Sequence, residues 1–386
     1  IIHLVLARRP DAPEGNQGIS LFLVPKFLVN PDGSLGERND VKAVGVEHKL
    51  GIHSSPTCTL AFGDNGGAVG YLVGEENKGL QAMFTMMNNA RLSVGHQGVA
   101  VGERAYQQAV SYAQDRLQGR AAGVEGRAAI IHHPDVKRML MQMRALTEAG
   151  RAMSYYAIAA EDRSSHHPDA AVREENAQLV ELLTPLVKGW CTEMAMESTS
   201  LGVQVHGGMG FIEETGAAQH MRDARILPIY EGTNGIQALD FIGRKCLRDG
   251  GQVVQRLLAD MQATVGQLDT ADGTIALLAQ RLQQAIDQCR EALSYVLANA
   301  EESGGIAYHF AMMYGNTVSY WLLVKLAAAA QQRIDAGEND RFFEQKIVTA
   351  NFFSTQILPR NKACLESVVS GAENFVTMRP ADFVTG

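Results

Sequence analysis

Gly79-Leu-Gln-Ala-Met-Phe-Thr-Met-Met87 is where the chain changes period. Leu80, Met83, Phe84 and Met87 recur every three or four residues, the spacing of one helix face, and the pattern runs on to about Leu117. Upstream the signals are those of strands. His3–Ala7, Ile19–Val24, Val41–Val46 and Thr57–Phe62 are short β-rich runs, separated by turn clusters such as Asp11-Ala-Pro-Glu-Gly15 and Asn30-Pro-Asp-Gly33. No helical stretch separates these strands, so the reading is antiparallel β rather than βαβ, and a parallel nucleotide-binding sheet is not supported.

Downstream the chain reads as helical almost throughout. A second helix follows Pro134, with Val136, Leu140, Met143 and Leu146 on one face, and Pro134-Asp135 suits a helix start. A third covers roughly 173–200 and a fourth starts near Thr233. After Asp249-Gly-Gly-Gln252 the pattern restarts, with helices expected near 252–268, 274–300, 306–335 and 339–370. The expected fold class is therefore mainly α with a small antiparallel β part. Its expected domains are a partial β domain at 1–75, a helical-bundle domain at 76–249 and a C-terminal helical extension at 250–386.

Composition narrows the function. The 386 residues hold 34 Lys and Arg against 42 Asp and Glu, a net charge of −8, which argues against a phosphate-backbone binder. The five cysteines are widely spaced and form no CxxC knuckle, so neither a disulfide framework nor a zinc site is readable. The apolar stretch from Tyr320 to Ala330 carries Lys325 and is far below the ~20 residues that cross a bilayer. A soluble, cytoplasmic protein is expected. Ile1-Ile-His-Leu-Val-Leu6 reads as the inside of a strand, which implies that the sequence starts partway through a domain.

Three segments carry candidate chemistry. Glycines 207, 208 and 210 follow a helix in Val205-His-Gly-Gly-Met-Gly-Phe211; they mark either a helix terminus or a close approach of backbone to a ligand. Glu231 stands beside Ile229 and Tyr230, just before Gly232-Thr233 at the next helix start. There it is a candidate general base, or else a solvated first-turn acid. The amides that follow Thr233 suit an anion, with Thr233 as cap. The histidine pairs 132–133 and 166–167 each precede Pro-Asp and lack companion Cys or Glu, so no metal site is expected.

Tyr230-Glu-Gly-Thr-Asn-Gly-Ile-Gln237, preceded by Met221-Arg-Asp-Ala224, resembles the catalytic loop of acyl-CoA dehydrogenases. Gly74-Glu-Glu-Asn-Lys-Gly-Leu80, Asn88-Asn-Ala-Arg-Leu-Ser-Val-Gly95 and Tyr112-Ala-Gln-Asp-Arg116 stand in that family's order, so the resemblance covers residues 1 to about 247. The part after 250 is similar to the C-terminal domain of a long bacterial branch that includes 3-methylmercaptopropionyl-CoA dehydrogenases. Nothing matches the family's N-terminal helical domain or its early β segment, so the resemblance implies a fragment of a longer enzyme.

The resemblance implies FAD-dependent α,β-dehydrogenation of an acyl-CoA thioester, with electrons passed to an electron-transfer flavoprotein by a homodimer or dimer of dimers. It assigns the base to Glu231, because the alternative base positions, Asn89 and Ala90, accept no proton. It places Asn88, Arg91, Tyr230 and Gly232 at the substrate. Arg116, Gln204, Gly207, Gly208 and Thr233 fall at FAD, with Arg116 meeting the pyrophosphate across a subunit interface. An acyl-CoA oxidase shares fold and base, and a helical scaffold without activity is the alternative from another class.

Overall fold

The computed structural model describes residues 1–268 and 273–384. They form two compact units, Ile1–Ala90 and Arg91–Gly386.

In the first unit every strand pairing is antiparallel, as the turn-rich sequence implies. β1 (Ile2–Arg8) pairs with β2 (Ile19–Pro25) in a register running from Ile2 opposite Pro25 to Arg8 opposite Ile19. Two hairpins follow, β3 (Phe27–Val29) with β4 (Leu35–Arg38) and β5 (Val41–Val46) with β6 (Cys58–Phe62). β7 (Tyr71–Val73) closes onto the free side of β2. Buried Asn39 ties these pieces together: its amide donates to the carbonyls of Pro25 and Val69, both at 2.8 Å, and accepts from the Val69 N–H. The long helix α1 (Gly79–Asp115) starts here against β2. A Cβ on Gly79 would stand 2.4 Å from the Ser20 carbonyl carbon, so only glycine fits at that contact.

The second unit takes the rest of α1 and adds α2 (Pro134–His166), α3 (Ala170–His206), α4 (Ala217–Ala224) and α5 (Asn234–Leu239). α5 passes directly into a π-helix at Asp240–Leu247. Then come α6 (Gln252–Gln267), α7 (Gly273–Ala298), α8 (Ser303–Asp335), α9 (Arg341–Gln356), α10 (Arg360–Val369) and the short α11 (Glu373–Val376). The two His-His-Pro-Asp copies start helices in different registers. Pro134 is the first residue of α2, whereas Asp169 caps α3 by accepting from the Ala171 N–H at 2.9 Å.

One expected helix is two. The segment 339–370 breaks between Gln356 and Arg360, because Pro359 has no N–H for the preceding turn. α8 also differs from a one-sided bundle helix. Its residues from Met313 to Val324 are buried on every side, which makes it the central rod of the extension.

The core does not stop near 250. A single cluster of buried side chains runs from Leu146 and Met153 on α2 and Leu186 on α3, through Phe241, to Leu282 on α7, Phe310 on α8 and Phe353 on α9. Helices approach closely at glycines. A Cβ on Gly95 or Gly98 of α1 would lie 2.7 Å from the carbonyl oxygen of Val187 or Cys191, so the backbones of α1 and α3 pack directly against each other there. Gly315 of α8 lies against the Trp190 indole, where a Cβ would come within 2.5 Å of the ring. Trp190 Nε1 donates to Asn316 Oδ1 at 2.8 Å, and Asn316 Nδ2 donates to Asn361 on α10, so the polar atoms between these helices are satisfied.

Candidate active site

The turn between α4 and α5 carries the candidate base. Tyr230 N–H still donates to the Ile226 carbonyl at 3.0 Å, after which Glu231 takes φ +56° and Gly232 φ +89°. A non-glycine residue in the left-handed region is held there only when its surroundings fix it, and here the fixing groups are visible. Arg91 Nε donates to the Glu231 carbonyl oxygen at 3.3 Å, and Gln237 Nε2 donates to the carbonyls of Glu231 and Gly232 at 3.4 and 3.3 Å. Gly232 suits its φ, which L side chains rarely adopt, and a Cβ there would lie 2.8 Å from Gln237 Nε2 and displace that donor. No described residue accepts from the Glu231 N–H, and the Glu231 side chain is half-buried.

Thr233 caps α5, its hydroxyl accepting from the Ile236 N–H at 3.3 Å. Tyr230 donates its hydroxyl to the side-chain oxygen of Gln97 on α1; burial, and then the Glu231 carboxylate, push its pKa up. Arg91 is 7% exposed, so this guanidinium is not a solvated surface charge. Asn88 lies three residues earlier on α1, on its exposed side.

Behind the turn is a polar cluster that sequence reasoning missed. Lys188 on α3 is fully buried and donates from Nζ to Asn234 Oδ1 at 3.0 Å. Asn234 Nδ2 in turn donates to Thr192 Oγ1 and to Glu193 Oε1, at 3.0 and 2.8 Å. Burial pushes the Lys188 pKa down to about 8, with Arg91 acting the same way and Glu193 and Glu231 opposing. The signal was a single lysine inside Leu182-Leu-Thr-Pro-Leu-Val-Lys-Gly-Trp-Cys191, a run otherwise free of charge.

The residues assigned to the cofactor divide into two groups. Thr233 stands with Glu231. Arg116, Gln204, Gly207 and Gly208 lie at the far ends of α1 and α3. From Arg91 to Arg116 is 25 residues of rise, about 37 Å, and from Lys188 to Gln204 about 24 Å, at ~1.5 Å per residue. Tyr112 and His206 stack at 4.4 Å between ring centres and so bring the ends of α1 and α3 together. There Arg116 is exposed, one turn beyond Tyr112. Gly207 ends α3 at φ +59°, and a Cβ on either Gly207 or Gly208 would meet nothing within 4 Å. Gly210 differs: its Cβ would strike the Val203 carbonyl oxygen at 2.2 Å, so packing accounts for it.

Among the described residues, no group of three or more His, Cys, Asp or Glu could hold a metal, and no helix is long and apolar enough to cross a membrane. His133 bonds through Nε2 to the Gln118 carbonyl at 2.8 Å.

Residues 77–247 match the family model for the acyl-CoA dehydrogenase C-terminal domain, and residues 257–379 match the model described as acetyl-CoA dehydrogenase C-terminal like. The chain belongs to the acyl-CoA dehydrogenase family. The two models meet close to Gly250-Gly251, inside the second unit, where one core spans both. A family member from Ruegeria pomeroyi, a 3-methylmercaptopropionyl-CoA dehydrogenase, is 49% identical over 98% of this chain and 64% of its own length. A broad-specificity linear acyl-CoA dehydrogenase of Mycobacterium tuberculosis is 36% identical over 93% of this chain and 62% of its own. The chain thus spans under two thirds of these curated relatives. Among solved structures, an acyl-CoA dehydrogenase of Bacillus anthracis complexed with FAD superposes with a TM-score of 0.74 at 22% identity. It covers 95% of this chain and 60% of that one. The Caenorhabditis elegans protein ACDH-11, in complex with C11-CoA, gives 0.75 at 22% identity, over 98% and 61%. Both show the fold.

Proposed function

We propose that the whole protein is an FAD-dependent acyl-CoA dehydrogenase in which Glu231 removes the α-proton of the thioester. The observation that carries this reading is the turn at Glu231, held in left-handed backbone by Arg91 and Gln237 at the position where the family's motif has its base. A carboxylate so fixed is aimed before substrate arrives, which is what proton abstraction in a single encounter requires. The free Glu231 N–H is a donor suited to polarising the thioester carbonyl. Asn88, Arg91, Tyr230 and Gly232 form the substrate side of this reading.

FAD, when bound, supplies the acceptor for the β-hydride. The residues present fit it: Arg116 offers an exposed planar fork for a pyrophosphate, Gln204 is exposed, and at Gly207 and Gly208 the space beside the backbone is open. Since these lie some 24 to 37 Å along the helices from Lys188 and Arg91, the helix residues beside the Glu231 turn, they serve the site of a partner copy while Thr233 serves the chain's own. This supports a homodimer or dimer of dimers. Electrons pass onward to an electron-transfer flavoprotein in the cytoplasm, as part of acyl-CoA β-oxidation.

The test is Glu231→Gln in the full-length protein, which keeps shape and removes the proton acceptor. Expected are a bound flavin spectrum and turnover reduced more than 1000-fold on 3-methylmercaptopropionyl-CoA or butyryl-CoA, whichever the wild type takes. Turnover within tenfold of wild type rejects Glu231 as base. Wild-type activity that needs oxygen and ignores artificial acceptors selects the oxidase, and a colourless protein that cannot be reconstituted selects the scaffold.

A further inference from the structure

Among the described residues, Lys188 is the fully buried charge beside Glu231 to which the reaction gives no part. An ammonium fully removed from water is costly unless its partners repay the lost hydration. Its hydrogen-bond partner is the Asn234 side chain, at 3.0 Å, three residues after the base and in the same turn. Asn234 is gripped from its other side by Thr192 and Glu193 of α3. The charged groups facing the ammonium are Glu193 on its own helix, Arg91 on α1 and Glu231 in the turn. From α8, Tyr308 faces Glu193, whose carboxylate, after burial, raises the tyrosine's pKa.

We propose that Lys188 is a positioning residue for Glu231: through Asn234 it fixes the turn that carries the base. The proposal rests on the reading of Glu231 as base. A lysine in this place does what an apolar residue of equal volume does not. Together with the Thr192 hydroxyl it donates to Asn234 Oδ1, holding the Asn234 rotamer and with it the start of α5. Lys188 does not reach the substrate in this account, so its loss changes the rate and leaves binding alone.

The experiment uses the full-length, FAD-loaded protein. In Lys188→Met the bound flavin spectrum is expected to persist and KM to stay within twofold, while kcat falls at least 20-fold. Asn234→Ala cuts the link and keeps the charge. It should lower kcat at unchanged KM, and it decides the matter if Lys188→Met does not fold. A folded Lys188→Met with unchanged kcat overturns the proposal, as does Asn234→Ala with wild-type kcat or with kcat loss matched by flavin loss. A wild type without dehydrogenase activity, or an active Glu231→Gln, instead removes the base and Lys188's part together.

Discussion

Arg91 and Glu231, 140 residues apart in sequence, meet through the backbone: the guanidinium Nε donates to the Glu231 carbonyl oxygen at 3.3 Å. The arginine therefore holds the shape of the turn. With Gln237 as the second donor, two side chains from different helices pin one carbonyl in a left-handed conformation that glutamate does not otherwise favour.

Arg91→Lys tests that clamp. An ammonium keeps the charge and loses the planar donor set, so the turn is left with Gln237 alone. Losing a charged donor to a buried carbonyl costs about 1.5–3 kcal/mol. Steady-state kinetics should show kcat/KM down by tenfold or more with flavin still bound, and an unchanged kcat/KM would show that Gln237 suffices.

Lys188 gives the chain a pH signature apart from turnover. The unfolded lysine keeps its proton to about 10.5, whereas in the fold it gives it up near 8. Between those values the unfolded state binds more protons, so stability from this group rises with pH. The penalty is full below pH 8 and is relieved toward 10.5. Urea unfolding at pH 7.5 and 9.5 should show wild type gaining ~2 kcal/mol relative to Lys188→Met over that window. Equal pH dependence in the two proteins would show that the ammonium is not desolvated.

How far the sequence could carry the site is plain from these two residues. Arg91 was readable because it sits in a motif, Asn88 to Gly95, whose order is recognisable. Lys188 was not, because a lysine on a helix is ordinarily solvated and its burial depends on α5 folding over it. The strands behave alike. β1, β2, β5 and β6 announce themselves by composition, while β3, β4 and β7, of three or four residues, exist only through their partners. The break at Pro359 was legible in principle, since proline rarely continues a helix, yet the apolar spacing on both sides concealed it.

Arg116→Ala separates cofactor from fold. The side chain is exposed at the end of α1, so the melting temperature should stay within about 2 °C, in the range of surface substitutions. Flavin occupancy after dialysis should fall, with acyl-CoA affinity little changed. Full occupancy would take the pyrophosphate role away from Arg116.

The extension after Gly250 makes the strongest claim about packing, since the core it shares with α2 and α3 leaves no surface between two finished domains. Leu186 and Trp190 of α3 and Met153 of α2 are buried in the same cluster as Phe310, Tyr320 and Phe353. Truncation after Gly250 would bare those α2 and α3 side chains at once, each worth roughly 1.5–3 kcal/mol of burial. A domain's net stability is only ~5–15 kcal/mol, so several such losses consume it. The truncated protein is expected to lose cooperative thermal unfolding or to aggregate. A milder probe keeps the chain whole. Gly315→Ala forces a methyl to within 2.5 Å of the Trp190 ring and should destabilise by about 1–3 kcal/mol through overpacking. Cooperative melting of the truncated protein near the wild-type temperature, with Gly315→Ala neutral, would mean that the extension rests on the bundle without supporting it.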